Sequence, residues 1–293
     1  MAWQQLQLST SAAHSEPLEQ LLLEFGAVSI SFIDAEDQPL FQIEPGSTVI
    51  WDATVLLALF KSDHDLSQCL AELSKHPAIE NRSDLKIEIL EDQDWERAWM
   101  DEFEAMQFGP RLWICPSWQT PPDPQAINIM LDPGLAFGSG THATTALCLE
   151  WLSAVELKDK TVFDYGSGSG VLAIGAALLG ATRVIAVDND PQAITATIDN
   201  SGRNHISSDT LSAHLPDDTP QVSADILIAN ILAGPLLTLA PTLKALLKPA
   251  GSFVLSGILE EQIDMILEVY EPLFEMQPPE IKDGWVRLAG IKK

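Results

Sequence analysis

One stretch constrains this chain more than any other: Asp164-Tyr165-Gly166-Ser167-Gly168-Ser169-Gly170. An apolar run, Thr161-Val162-Phe163, enters it, and Val171-Leu172-Ala173-Ile174-Gly175-Ala176-Ala177 leaves it. The pattern predicts a short buried strand, a glycine turn and a helix. Glycines at 166, 168 and 170 permit positive φ and let a ligand come close to the backbone. About twenty residues on, a second apolar strand, Arg183-Val184-Ile185-Ala186-Val187, ends in Asp188, where a carboxylate can take both hydroxyls of a ribose. Read from Gly168, the turn also satisfies G-x-G-x-x-A. A nicotinamide dinucleotide and S-adenosylmethionine therefore both fit this much of the chain, and so does a strand-turn-helix without a ligand.

The rest of the chain has to choose, and its totals narrow the field. At 293 residues it is long for one domain, and 46% hydrophobic residues suffice for a proper core. The formal charge is −26, of which about −10 falls before residue 91, −5 within 91–122 and −11 after that. Acidity spread this evenly repels phosphate backbones, which argues against direct nucleic-acid binding, and attracts basic proteins; it also simply keeps a protein soluble. Cys69, Cys115 and Cys148 are odd in number and far apart, so neither a disulfide framework nor a zinc site is indicated and no metal is expected. Met1-Ala2-Trp3-Gln4-Gln5 lacks the charged and apolar regions of a signal peptide, and polar residues, glycine and proline interrupt every long apolar run. The expectation is a cytoplasmic, monomeric protein with no membrane partner.

Residues 1–90 read as a small α+β unit. Trp3–Leu8 and Val28–Ile33 alternate with period two, as half-buried strands do. Ser15-Glu16-Pro17 predicts a cap and first-turn proline for a helix carrying Leu18, Leu21, Leu22 and Phe25, with Gly26 as the stop. A further strand within Thr48–Phe60, a helix marked by Leu66, Leu70 and Leu73, and a strand at Lys86–Leu90 complete the order β-α-β-β-α-β, which suggests a ferredoxin-like split. The unit holds no cluster of catalytic residue types and is expected to recognise a substrate. Residues 91–122 are read as a linker, with a helix over Asp92–Phe103 that sets Trp95 and Trp99 one turn apart and an extended segment at Leu112–Pro116.

Residues 123–293 are expected to hold the cofactor. Between Asp132 and Thr145, three glycines and a proline precede a helix beginning near Thr141, and Phe137 forms an apolar tip suited to a lid. From 161 onward strands and helices alternate, as in a doubly wound, mostly parallel α/β sheet. Ala224–Ala229 is a buried strand with Asn230-Ile231-Leu232-Ala233 at its carboxyl end, the end at which such sheets bind ligands. The final strands, Phe274–Met276 and Gly284–Gly290, would finish the sheet antiparallel.

Taken together, Asp132 to the end resembles the class I methyltransferases that use S-adenosylmethionine, whose sheet has seven strands. The loop Phe137-Gly138-Ser139-Gly140-Thr141-His142-Ala143-Thr144-Thr145, the turn Asn230-Ile231-Leu232-Ala233, the small first domain and the acidic Trp95-Glu96-Arg97-Ala98-Trp99 make the whole chain similar to the PrmA family, methyltransferases of ribosomal protein L11. Ser139 and Ser167 stand where that family usually has Thr and often has Cys. The resemblance implies methylation of lysine ε-amines and an N-terminal α-amine on that protein, with Thr145, Gly166, Asp188 and Asn230 lining the cofactor site. Each has a physical role to match. Thr145 sits near a helix N-terminus, which suits a carboxylate; Gly166 permits close approach; Asp188 takes the ribose; the Asn230 carbonyl can accept from an amine.

No catalytic base is identified: His142 is a candidate by position, and an ordinary loop histidine is the plainer account. A glutamine methyltransferase would carry Asn-Pro-Pro-Tyr where this chain has Asn230-Ile231-Leu232-Ala233, which favours an amine acceptor. A methyltransferase of another protein or a small amine, a nicotinamide oxidoreductase and a cofactor-binding assembly factor remain as alternatives.

Overall fold

Alternation decides the N-terminal sheet. In the computed structural model, which describes residues 3–35, 51, 53–79, 85–90, 103–132 and 142–293, the chain divides into two units, Met1–Glu102 and Phe103–Lys293. In the first, β1 (Trp3–Ser11) pairs antiparallel with β3 (Ala53–Lys61) and with β4 (Leu85–Leu90), and β2 (Ser29–Asp34) pairs antiparallel with β3, giving the order β2-β3-β1-β4. Every second residue, Leu6 and Leu8 on β1 and Leu56, Ala58 and Phe60 on β3, is buried with Leu18 and Leu22 of α1 (Ala12–Glu24) and Leu73 of α2 (Ser67–Leu73). This is the expected ferredoxin-like arrangement. One boundary differs: α1 follows β1 directly with Ser11 as its cap, so Pro17 lies inside the helix and the Ser15 hydroxyl donates to the Ala12 carbonyl at 2.8 Å. Burying Ser15, Leu18 and Leu22 along one stripe extends the helix by a turn, and packing outweighs the local proline signal. The helix expected over Asp92–Phe103, with Trp95 and Trp99, falls almost wholly outside the described residues, as do residues 133–141 of the glycine-rich loop and its Phe137.

In the second unit, β5 (Met106–Phe108), β6 (Leu112–Cys115) and β7 (Ile127–Met130) form a three-stranded sheet. Phe108, Leu112, Ile114 and Ile129 join the core under α3 (Ala143–Ala154) and α4 (Val171–Leu178). The main sheet contains β8 (Thr161–Tyr165), β9 (Arg183–Val187), β10 (Leu211–His214), β11 (Ala224–Asn230), β12 (Leu247–Leu259), β13 (Phe274–Met276) and β15 (Trp285–Lys292), in the order β10-β9-β8-β11-β12-β15-β13. The first five run parallel, and β15 is antiparallel to its neighbours. That is the expected seven-strand path, and an eighth short strand, β14 (Glu280–Lys282), adds to β15 outside it.

Strands buried on both faces read as unbroken apolar runs, because each successive side chain meets a different layer of helices. Val162, Val184, Ala186, Ile226 and Ile228 face α3 and α4. Their neighbours Phe163, Ile185, Val187, Leu227 and Ala229 face α6 (Ala233–Leu246) and α7 (Ile263–Tyr270). Tyr270 is buried on that second face and donates its hydroxyl to the Leu236 carbonyl at 2.8 Å. Among the described residues no helix is long and apolar enough to cross a membrane.

Candidate functional site

Strand register brings three carboxyl ends to one edge. Tyr165 is level with Val187, Asp164 with Ile228, and Asn230 with Ser256, so Gly166, Asp188 and Asn230 leave the sheet together. The Gly166 and Ser167 N–H groups both donate to the Val187 carbonyl, at 2.7 and 3.1 Å, folding the turn against the end of β9. Gly166 has φ +82, and a Cβ there would fall 2.2 Å from Cγ2 of Ile231. A side chain at 166 would therefore collide as well as strain the backbone.

Asp188 is the lock of this turn. Its Oδ2 accepts from Gly168 N–H at 2.8 Å and its Oδ1 from Asp190 N–H at 3.0 Å. A carboxylate holding one backbone donor per oxygen keeps further lone pairs for a ligand's hydroxyls. Asp190 in turn caps α5 (Pro191–Arg203), accepting from Gln192 N–H at 2.8 Å. The helix then lays a polar stripe along the turn. Thr197 donates to the Gly168 carbonyl at 3.1 Å, and Asn200 donates to the Ser169 carbonyl at 2.9 Å. Asn204, just past the helix, pairs with both Met130 N–H and Met130 carbonyl, at 2.7 and 2.8 Å. These residues stand at helical spacing where an apolar stripe would be expected, and that misplaced polarity was the available signal in the sequence for their role.

The second part of the site joins α3 to β11. The Asn230 Nδ2 donates to the buried Thr145 Oγ1 at 3.4 Å. With the amine half of the amide turned to Thr145, the carbonyl half is the one placed to accept. His142 caps α3: its Nδ1 accepts from Thr144 N–H at 3.4 Å and lies 2.8 Å from Thr144 Oγ1, while its ring meets Trp285 edge-on at 4.8 Å. Burial lowers the His142 pKa. The helix thus begins at Ala143, two residues later than the expectation near Thr141.

Beneath the turn lies a buried acid. Burial pushes the Asp164 carboxyl up to about 7, and the Asp188 charge adds to this, against one stabilising bond from Ala173 N–H to Oδ2 at 3.0 Å. Its other oxygen, Oδ1, is buried with no hydrogen-bond partner. A buried acceptor of this kind calls for a donor that the described residues do not supply. Of the four residues singled out from sequence, Asp188 is held against the turn, Thr145 and Asn230 meet each other, and Gly166 touches Ile231, the residue after Asn230. No cluster suited to a metal ion occurs among the described residues.

The chain matches the family model described as ribosomal protein L11 methyltransferase (PrmA) over residues 2–293. It is 51% identical to the ribosomal protein L11 methyltransferase of Pseudomonas fluorescens (strain SBW25), covering 100% of both chains. With the protein of the same name from Marinobacter nauticus it shares 49% identity, over 100% of this chain and 99% of that one. The crystal structure of a ribosomal protein L11 methylase from Lactobacillus delbrueckii subsp. bulgaricus superposes with a TM-score of 0.60 at 34% identity, covering 65% of this chain and 100% of that chain. Matched by the family model along nearly its whole length and half identical to full-length relatives, this chain belongs to the ribosomal protein L11 methyltransferase (PrmA) family.

Proposed function

We propose that this chain is an S-adenosylmethionine-dependent protein N-methyltransferase that methylates lysine ε-amines and the N-terminal α-amine of ribosomal protein L11. The observation that carries this reading is the meeting of two half-sites at one sheet edge. One is Asp188 locked to the Gly168 amide; the other is Asn230 against Thr145. The residues fit the cofactor. Asp188 would hold the ribose hydroxyls, and the side-chain-free Gly166 admits the ligand to the backbone. Thr145, near the start of α3, would hold the amino-acid end, and the open oxygen of Asp164 suits a donor. S-adenosylmethionine supplies a methyl group already activated by its sulfonium.

The protein's task is then alignment and exclusion of water. The Asn230 carbonyl accepts from the incoming amine and directs its lone pair. That amine must arrive unprotonated, since an ammonium has no lone pair. Solvent can take the proton before the amine enters, so no protein base is required, and His142 is already engaged as the cap of α3. We assign recognition of the protein substrate to residues 1–90, methyl transfer to 123–293 and the connection to the start of 91–122, whose β5 and β6 pack into the core of the second unit. The charge of −26 favours encounter with a basic protein in the cytoplasm. It disfavours nucleic acid as a direct partner, and we assign the active form to a monomer.

Labelled S-adenosylmethionine incubated with this protein and a total ribosomal-protein extract should mark L11 alone. Cofactor binding with no labelled band would refute the assigned substrate. Calorimetry should detect S-adenosylhomocysteine and not NAD; tight NAD binding would refute the methyltransferase reading itself.

A further inference from the structure

Ile231, the residue after Asn230, sits in a slot whose two walls are glycines. On one side its Cγ2 lies 2.2 Å from where a Cβ on Gly166 would be. On the other, a Cβ on Gly257 would fall 2.3 Å from the Ile231 carbonyl oxygen and 2.7 Å from its carbonyl carbon. The first contact is a methyl group on a β-branched carbon, which moves only if the side chain changes rotamer; the second is backbone, which has no rotamer to change. Gly257 has φ +84 and lies where the register between β12 and β15 shifts, between Leu255 and Ile258. One residue earlier, Ser256 is level with Asn230 and donates its hydroxyl to the Val286 carbonyl at 3.0 Å, tying the strands together at the irregularity. Irregularities of this kind re-aim a strand beside a site. Here the strand gives up regular pairing where the backbone of the Asn230 turn comes in.

The Asn230 side chain needs that support. Its bond to Thr145, at 3.4 Å, is at the long end of hydrogen-bond distances and is a weak anchor by itself. We propose that Gly257 and Ile231 are positioning residues for the Asn230 carboxamide. Gly257 does so by leaving room for the Ile231 backbone, and Ile231 by filling the gap against Gly166. This inference rests on the reading of Asn230 as the acceptor of the substrate amine.

The test compares variants of the full-length protein by kcat on ribosomal protein L11, by Kd for S-adenosylhomocysteine and by Tm. Gly257→Ala should lower kcat roughly 10- to 100-fold, the order of loss that a misplacement of about 1 Å produces, with Kd changed less than about twofold. Gly290→Ala is the control for crowding alone. A Cβ there would meet the Glu275 carbonyl at 2.6 Å and the Phe253 ring at 2.8 Å, in the part of the sheet where β15 pairs with β12 and β13. It should lower Tm and leave kcat unchanged. Ile231→Ala should lower kcat, whereas Ile231→Val, which keeps both γ carbons, should restore it; this pair decides the matter if Gly257→Ala does not fold. The inference is overturned if Gly257→Ala keeps wild-type kcat, if Ile231→Val falls as far as Ile231→Ala, or if cofactor affinity falls in step with kcat. Asn230→Ala at wild-type kcat would instead remove the reading on which it rests. An inactive Asn230→Ala beside an active Gly257→Ala removes this inference alone.

Discussion

Asp164→Asn should make the catalytic unit more stable at pH 8, by an amount that grows from about pH 4 to about pH 7 and is constant above that. The Asp164 carboxyl is fully buried, has one bond from Ala173 N–H, and keeps one oxygen unpartnered. Its pKa is raised from 3.8 to about 7, first by burial and then by Asp188. A raised carboxyl pKa means that the folded state binds the extra proton between those two values. Stability from this group is therefore fully present below about pH 4 and is lost as pH rises through 7. Three pH units at about 1.4 kcal/mol each give an upper bound of about 4 kcal/mol, of which roughly 2–3 kcal/mol falls between pH 5 and pH 8. Asparagine mimics the protonated acid: its carbonyl can keep the Ala173 bond, and its amide carries no charge to bury. Urea titrations of both proteins at half-unit steps from pH 5 to 8.5 isolate the group, because every other titrating residue is common to the two. The wild-type curve should fall relative to that of Asp164→Asn by about 2–3 kcal/mol across the range. Parallel curves would refute the raised pKa, and a widening difference in favour of the wild type would refute its sign.

Other outcomes follow from the same contacts. Asp188→Ala removes the group that locks Gly168 and should weaken S-adenosylhomocysteine binding by about 1–3 kcal/mol, roughly 5- to 150-fold in Kd by calorimetry; an unchanged Kd would mean that this carboxylate does not touch the ligand. Asn204→Ala strands the Met130 N–H and carbonyl, and should cost about 2–4 kcal/mol in urea unfolding; a loss under about 1 kcal/mol would show that water replaces the amide. Cys69, Cys115 and Cys148 are buried, and burial raises all three thiols, Cys69 to about 11. A thiol reagent at pH 8 should label the native protein far more slowly than the urea-unfolded one, and rapid native labelling would contradict the packing around at least one of them.

Much of the fold was legible because it is written in short-range patterns. Trp3–Leu8 alternates since one face of its sheet is covered by helices, and Thr161–Phe163 is unbroken since both faces of its strand are covered. The glycine turn and Asp188 could be read together since a parallel strand-helix-strand crossover has a standard length. The start of α1 was not legible. Ser15-Glu16-Pro17 is a sound local cap signal, and it lost to burial of Leu18 and Leu22 against the sheet. For Thr197 and Asn200 the helical spacing of polar residues marked a stripe that packs, but not what it packs against, because their bonds reach carbonyls about thirty residues away.

By itself, the sequence determined the chemistry on offer: a turn that a nucleotide-like ligand can approach, a carboxylate one strand later, an asparagine at the end of another strand, and a resemblance that names what they handle. Tertiary structure alone decided how these parts hold one another. Strand register set Asp188 against Gly168 and Ile231 between Gly166 and Gly257, and the packing of α3 on the sheet set Thr145 against Asn230. Residue identity sets what a group can bind, and it acts locally. Where that group points depends on contacts between segments far apart in the chain, which exist only once the sheet has formed.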